Sequence, residues 1–154
     1  MIPGSVLEAV YGSTVHCEVE CQIGLEGHDG YKVHSHKTMK PFEWDESRVS
    51  LHAPAIDNTG RNNCHGLLQE FEGKPLLNAR VLQFLMYSWN RDRIPIAWDN
   101  LHVVFAGTIY RDPGGLLCVR VMFRSSRGNH LWDWDYAYVD DIYLPDHMIA
   151  VLAG

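Results

Sequence analysis

From Val15 to Leu25 every odd position is apolar (Val15, Cys17, Val19, Cys21, Ile23, Leu25), while His16, Glu18, Glu20 and Gln22 occupy even ones. A period of two over this length predicts a half-buried β-strand. His28-Asp29-Gly30 follows as a three-residue hairpin loop, with Gly30 where a left-handed backbone is needed. The returning strand then sets Val33 against Leu25 and Met39 against Val19, with Lys32 facing Glu26 and Lys40 facing Glu18. That register satisfies the apolar and the charge pattern together. Upstream, Ser5-x-x-Glu8 has the form of a capping box and reads as a short helix over 5 to 11, with a strand as the alternative over so few residues. Residues 48 to 56 read as a short strand running into Pro54 and the polar loop Asp57 to Asn63.

Gly73-Lys74-Pro75 opens a helix, with Pro75 in its first turn. Leu77, Val81, Phe84, Leu85 and Ser88 follow helical spacing, flanked by Leu82, Met86 and Trp89, and a narrow polar stripe runs through Arg80, Gln83, Tyr87 and Asn90. So wide an apolar surface predicts burial against a sheet. Three strands follow as a meander near 101 to 110, 116 to 125 and 130 to 139, turning at Asp112-Pro113-Gly114-Gly115 and Ser126-Arg127-Gly128-Asn129. Two-residue and four-residue turns there place Tyr110 opposite Leu117, Phe123 opposite Trp132 and Arg120 opposite Asp135. Asp146 reads as the cap of a terminal helix through Leu152. The predicted fold class is α+β, a curved antiparallel sheet packed on one long helix.

In outline this element order resembles the cystatin-like and nuclear transport factor 2-like cones and the hotdog folds. The resemblance implies a small molecule held between helix and sheet. It is one of architecture, carries no diagnostic motif, and assigns no family.

Composition narrows the partners. The 154 residues, 46% hydrophobic, suit a single domain over 1–154 with a core that needs no staples. A net charge of −6 argues against nucleic acid and against an anionic membrane surface, both of which are met by clustered Lys and Arg. No apolar run reaches the roughly 20 residues that span a bilayer, and the first residues lack a signal-peptide pattern, so the expected location is the cytoplasm. Four cysteines at 17, 21, 64 and 118 read as free thiols, with Cys64 in a polar loop. No phosphate-binding glycine loop, G-x-S-x-G or H-E-x-x-H occurs, and no cofactor is expected.

Three constellations could carry chemistry. In the predicted register Arg120 lies opposite Asp135, with Asp133 between Arg120 and Arg124, a set in which one carboxylate serves as base and Arg120 orients or stabilises charge. It is similar in kind to the Asp-Arg-Asp arrangement of limonene-type epoxide hydrolases. The plainer reading is a cross-strand salt-bridge ladder. Trp132, Trp134 and Tyr136, with Phe105 and Met122, are the candidate ligand-binding residues. The same aromatic stripe, continued by Tyr138, alternatively forms the contact of a homodimer. His34 and His36, alternating on one strand, are candidate metal ligands beside the plainer reading of a wet strand face. The leading expectation is a small-molecule-binding domain with acid–base capability. A self-associating binding module and a His-ligated metal protein stand behind it.

Overall fold

In the computed structural model, which describes residues 14–15, 30–40, 42–53, 71–87, 90–125, 131–141 and 147–152, a β-branched and aromatic run forms the central strand. This strand, β5 (His102–Arg111), is buried from Val103 through Tyr110. Before it come β1 (Thr14–Val15), β2 (Lys32–His36), β3 (Phe42–Glu43), β4 (Val49–His52) and helix α1 (Ala79–Met86); after it come β6 (Leu117–Arg124), β7 (Trp132–Tyr138) and β8 (His147–Leu152). Six strands make one sheet in the order β4-β8-β5-β6-β7, with β2 also on β5, while β1 and β3 pair separately. The fold is α+β, one helix on a curved, unclosed sheet among the described residues. The sheet is mixed rather than wholly antiparallel, because β8 runs parallel to β5 at His102–Val104.

That parallel strand corrects an expectation, since the sequence pattern predicts a terminal helix through Leu152. His-Met-Ile-Ala-Val-Leu is too short for periodicity to separate helix from strand. Its neighbours decide: Ile149 and Val151 enter one apolar cluster and Ala150 the other, as a strand covered on both faces requires.

The free edge of β5 is divided. β8 takes its first residues and β2 takes Thr108–Arg111, and Gly107 lies in the gap. The Gly107 N–H donates to the Leu77 carbonyl (3.0 Å) and the Lys37 N–H donates to the Gly107 carbonyl (2.7 Å). Leu77 in turn donates to Ala150 (3.1 Å), and Leu152 donates to Pro75 (2.9 Å). Residues 75–77, expected as the first helical turn, are therefore an extended plug that ties β8 to β5. Those backbone groups find sheet partners that a helix start would have left unpaired.

The helix accordingly begins later, with Asn78 as its cap. The Asn78 Oδ1 accepts from the N–H groups of Arg80 (3.0 Å) and Val81 (3.3 Å), and its Nδ2 donates to the Lys37 carbonyl (2.8 Å). At the other end Asn90 Nδ2 donates to the Phe84 carbonyl (2.9 Å) and Arg91 Nε to that of Met86 (3.1 Å). A helix of eight residues is not stable alone. Its support is packing of Val81, Leu82, Phe84 and Leu85 onto Val103, Phe105, Met122 and Ala150. Asn78→Ala removes the cap and the bond to the Lys37 carbonyl, and is expected to lower unfolding free energy by about 2 kcal/mol in urea titrations. Asn78→Asp, which keeps the acceptor and loses the donor, should fall between; an alanine variant within about 0.5 kcal/mol of wild type would contradict the assignment.

The opposite sheet face is also enclosed, by Val104, Ala106, Ile109, Val119, Val121, Ile149 and Val151 with Phe71, Leu76 and Val139. The β5–β6 turn forms where expected but with three loop residues. Asp112 N–H donates to the Leu116 carbonyl (2.9 Å), and Gly115 sits at φ +89. Further along, four residues of β5 but one of β6 lie between the pairs Phe105–Arg120 and Tyr110–Cys118, an irregularity larger than a simple bulge that shifts the register of β5 around Gly107.

The β6–β7 register differs from expectation by one residue: Arg120 faces Tyr136, Met122 faces Trp134 and Phe123 faces Asp133. Ser125 N–H closes this pair on the Leu131 carbonyl (2.8 Å), one position beyond the expected His130. A slip of one transfers every β7 side chain to the other face.

Gly30 has φ +86, as the predicted loop demands, and β4 falls within the predicted strand 48 to 56. The antiparallel pairing of Thr14 with Glu43 and Val15 with Phe42 agrees with the direction of the predicted hairpin, one residue out of its register. The predicted helix at 5 to 11, the remainder of the first strand, the loop bearing Cys64 and the turn at 126 to 129 lie outside the described residues.

Candidate functional site

The register decides what surrounds Arg120. Its side chain is 3% exposed on the face that carries α1. The guanidinium carbon stands 4.4 Å from the Trp134 ring centre, 4.8 Å from Tyr110 and 5.6 Å from Tyr136. Its NH2 group donates to the Tyr136 hydroxyl (3.4 Å). Tyr31 stacks on Tyr136 at 4.0 Å, and Tyr110 and Trp134 meet Tyr136 edge-on, each at 5.3 Å. Arg120, Trp134 and Tyr136 are thus brought together as a cation enclosed by aromatic faces.

Asp133 and Asp135 are not part of this group. They lie on the opposite face, exposed, and accept from the N–H groups of Trp134 (2.8 Å) and Tyr136 (2.7 Å). The expected Asp-Arg-Asp cluster is therefore corrected by the one-residue register. Trp132 and Trp134 are half-buried against the α1 cluster, while Phe105 and Met122 are 0% exposed within it. Tyr138 donates its hydroxyl to Asp112 (2.9 Å).

The two histidines have separate engagements. A β-bulge between Val33 and Ser35 interrupts the alternation that was to align them. His34 Nδ1 accepts from Arg111 Nε (3.1 Å), whereas His36 Nδ1 lies 2.7 Å from the Thr108 hydroxyl, which accepts from the Ala79 N–H. Among the described residues no group of three His, Cys, Asp or Glu side chains is placed to hold a metal.

Cys118 is 1% exposed, and burial, followed by the charge of Asp112, pushes its thiol up to about 11. A thiol held protonated is a poor nucleophile. Native protein at pH 8 should resist an aromatic disulfide reagent at Cys118, with peptide mass mapping showing label there only after denaturation; labelling within minutes would contradict this. The raised value also sets a sign. The contribution to stability is complete below the unfolded thiol's value near 9 and is lost as pH rises towards 11.

A different region offers an open cavity of about 450 Å³, lined by Lys37, Thr38, Met39, Lys40, Phe42, Arg48, Lys74, Pro75, Leu76 and Leu152. Its floor is apolar: Phe42 and Leu76 are buried and Met39 and Leu152 half-buried. Its polar lining residues are Lys37, Thr38, Lys40, Arg48 and Lys74. Local folding explains each wall. Lys37 has its N–H on Gly107 and its carbonyl on Asn78, so the plug that splits the β5 edge also fixes the start of this segment. Arg48 ends a short turn capped by Asp45, which accepts from the Ser47 N–H and hydroxyl. Those bonds, assisted by Arg48, hold the Asp45 carboxyl below its usual range. Lys74 follows Gly73 (φ +77), and its ammonium lies 5.0 Å above the Phe71 ring.

A second cavity of about 350 Å³ is lined by Arg91, Asp92, Ile94, Ile96, Asp99, Arg124, Leu131 and Trp132. Its charges are balanced, and Arg124 and Asp99 are joined at 2.8 Å. The first cavity, by contrast, sets several like charges around an apolar floor. None of its residues stood among the sequence candidates. They come from four separate stretches, and the visible signal was limited to Lys-Thr-Met-Lys and Gly-Lys-Pro at the ends of predicted elements. Comparison with family models, curated proteins and solved structures finds no match to this chain.

Proposed function

We propose that this chain is a small-molecule-binding α+β domain whose ligand occupies the cleft between residues 37–40, Phe42, Arg48 and the approach to α1. The observation that carries the reading is a cavity of about 450 Å³ with an apolar floor and a polar rim. That volume lies within the roughly 300–1,000 Å³ of ligand sites, which combine apolar lining with a few placed polar groups. The walls are held by backbone bonds made for other reasons, so little ordering remains to oppose binding. The acid–base step expected of Asp133, Asp135 and Arg120 is no part of this reading, since the carboxylates and the guanidinium occupy opposite faces.

A thermal-shift panel of small amphiphiles tests it, with Thr38→Trp in parallel to place an indole in the cleft from an exposed position. A ligand at about 100 times its Kd adds roughly 2.7 kcal/mol, several degrees for a chain of this size. The expected result is a shift in wild type that is lost in the tryptophan variant. Equal shifts in both proteins would place binding elsewhere.

A further inference from the structure

Taking the cleft as the binding site, as proposed above, we infer that its ligand is a soluble amphiphilic anion, a phosphate or carboxylate head on a short apolar body. Thirteen Lys and Arg serve the whole chain against nineteen acidic residues, yet four of the thirteen line this one cavity. Lys37 and Lys74 are exposed and reach it from different segments, and Arg48 adds a guanidinium able to grip two oxygens of one head group. Cationic side chains lining a partly enclosed space give it a positive potential that favours an anion there. Cations alone would suit inorganic phosphate. The floor of Phe42, Leu76 and Leu152 adds apolar contact beside them, which is of use only to a ligand with an apolar part. At about 450 Å³ the space equals roughly fifteen water volumes of ~30 Å³ each, enough for a head group and a short chain or ring but small for a two-chain lipid.

Isothermal titration of the full chain with decyl phosphate and decanoate below micelle formation, decanol and inorganic phosphate tests the inference. The expected result is binding of both amphiphilic anions, weakened at least tenfold between 50 and 500 mM salt and at least tenfold in the double variant Lys37→Gln/Lys74→Gln. Arg48→Gln provides an independent variant, and Lys32→Gln, outside the cleft, should leave binding unchanged. Decanol binding as tightly as decyl phosphate would overturn the anion while leaving the pocket standing. No binding of any probe, decanol included, would remove the pocket as well. Inorganic phosphate binding as tightly as decyl phosphate would overturn the apolar body. Sedimentation with phosphatidic acid vesicles, without binding of decyl phosphate, would overturn the soluble ligand in favour of a membrane lipid.

Discussion

Gly107→Ala is expected to lower unfolding free energy by about 3 kcal/mol, roughly 10 °C in melting temperature for a chain of this length. The cause is contact rather than backbone conformation. A Cβ at this position would lie 2.7 Å from the Leu76 carbonyl oxygen and 3.0 Å from both Cα and Cβ of Asn78. Two of those three atoms are backbone, so no side-chain rotation gives relief. Moving residues 76–78 away would break the bonds from Gly107 to Leu77 and from Asn78 to Lys37, and would disturb the cap of α1. It would also open the cleft, whose wall includes Lys37 and Leu76. Gly114→Ala is the control, because its added Cβ meets nothing closer than 3.4 Å, the Asp112 carboxylate, and should cost under about 1 kcal/mol. Chemical denaturation of both variants checks the pair; a Gly107→Ala cost as small as the control's would show that the notch is loosely filled.

Arg120→Ala carries the second large effect, also about 3 kcal/mol. Cation–π contacts shielded from water contribute about 2 kcal/mol or more, and truncation also leaves a cavity between rings that cannot fully close. With the side chain 3% exposed, the guanidinium works as a plate packed among Trp134, Tyr110 and Tyr136 as much as a charge. Arg120→Lys should recover only part of the loss, because an ammonium keeps the charge without the flat stacking surface. Guanidinium titrations with tryptophan fluorescence measure both quantities at once, the second through the altered surroundings of Trp134. An alanine variant within about 0.5 kcal/mol of wild type would contradict the packing role.

Much of this architecture was legible in residue patterns, and the failures have identifiable causes. The alternation of Trp132, Asp133, Trp134, Asp135 and Tyr136 marked β7 correctly, but alternation fixes a strand's faces relative to each other and not which face meets its neighbour. β6 gave no help, being buried from Cys118 through Met122, with Val119 and Val121 on one side and Cys118 and Met122 on the other. Either register looked apolar. The closing pair Ser125–Leu131 decided the matter and dispersed the candidate carboxylate cluster with it. Helix periodicity through Leu77, Val81 and Leu85 was genuine, yet Leu77 belongs to the sheet plug, buried by β5 and β8 contacts that local spacing does not encode. Gly107 within a strand was a readable sign of close backbone approach. The cleft was the least legible feature, because Lys37, Arg48, Lys74 and Leu152 are gathered only by the β2–β5 pairing, the plug and β8.

The central claim is that the cleft of Lys37, Arg48 and Lys74 is where a ligand binds, and amide chemical-shift mapping on isotopically labelled protein tests it most directly. With decyl phosphate as probe, the account predicts that the largest changes fall on residues 37–40, 42, 48, 74, 76 and 152 and diminish together in the Lys37→Gln/Lys74→Gln variant. Changes centred instead on the balanced cavity of Asp99, Arg124 and Trp132, or on Arg120 and its rings, with the cleft amides unmoved, would contradict it.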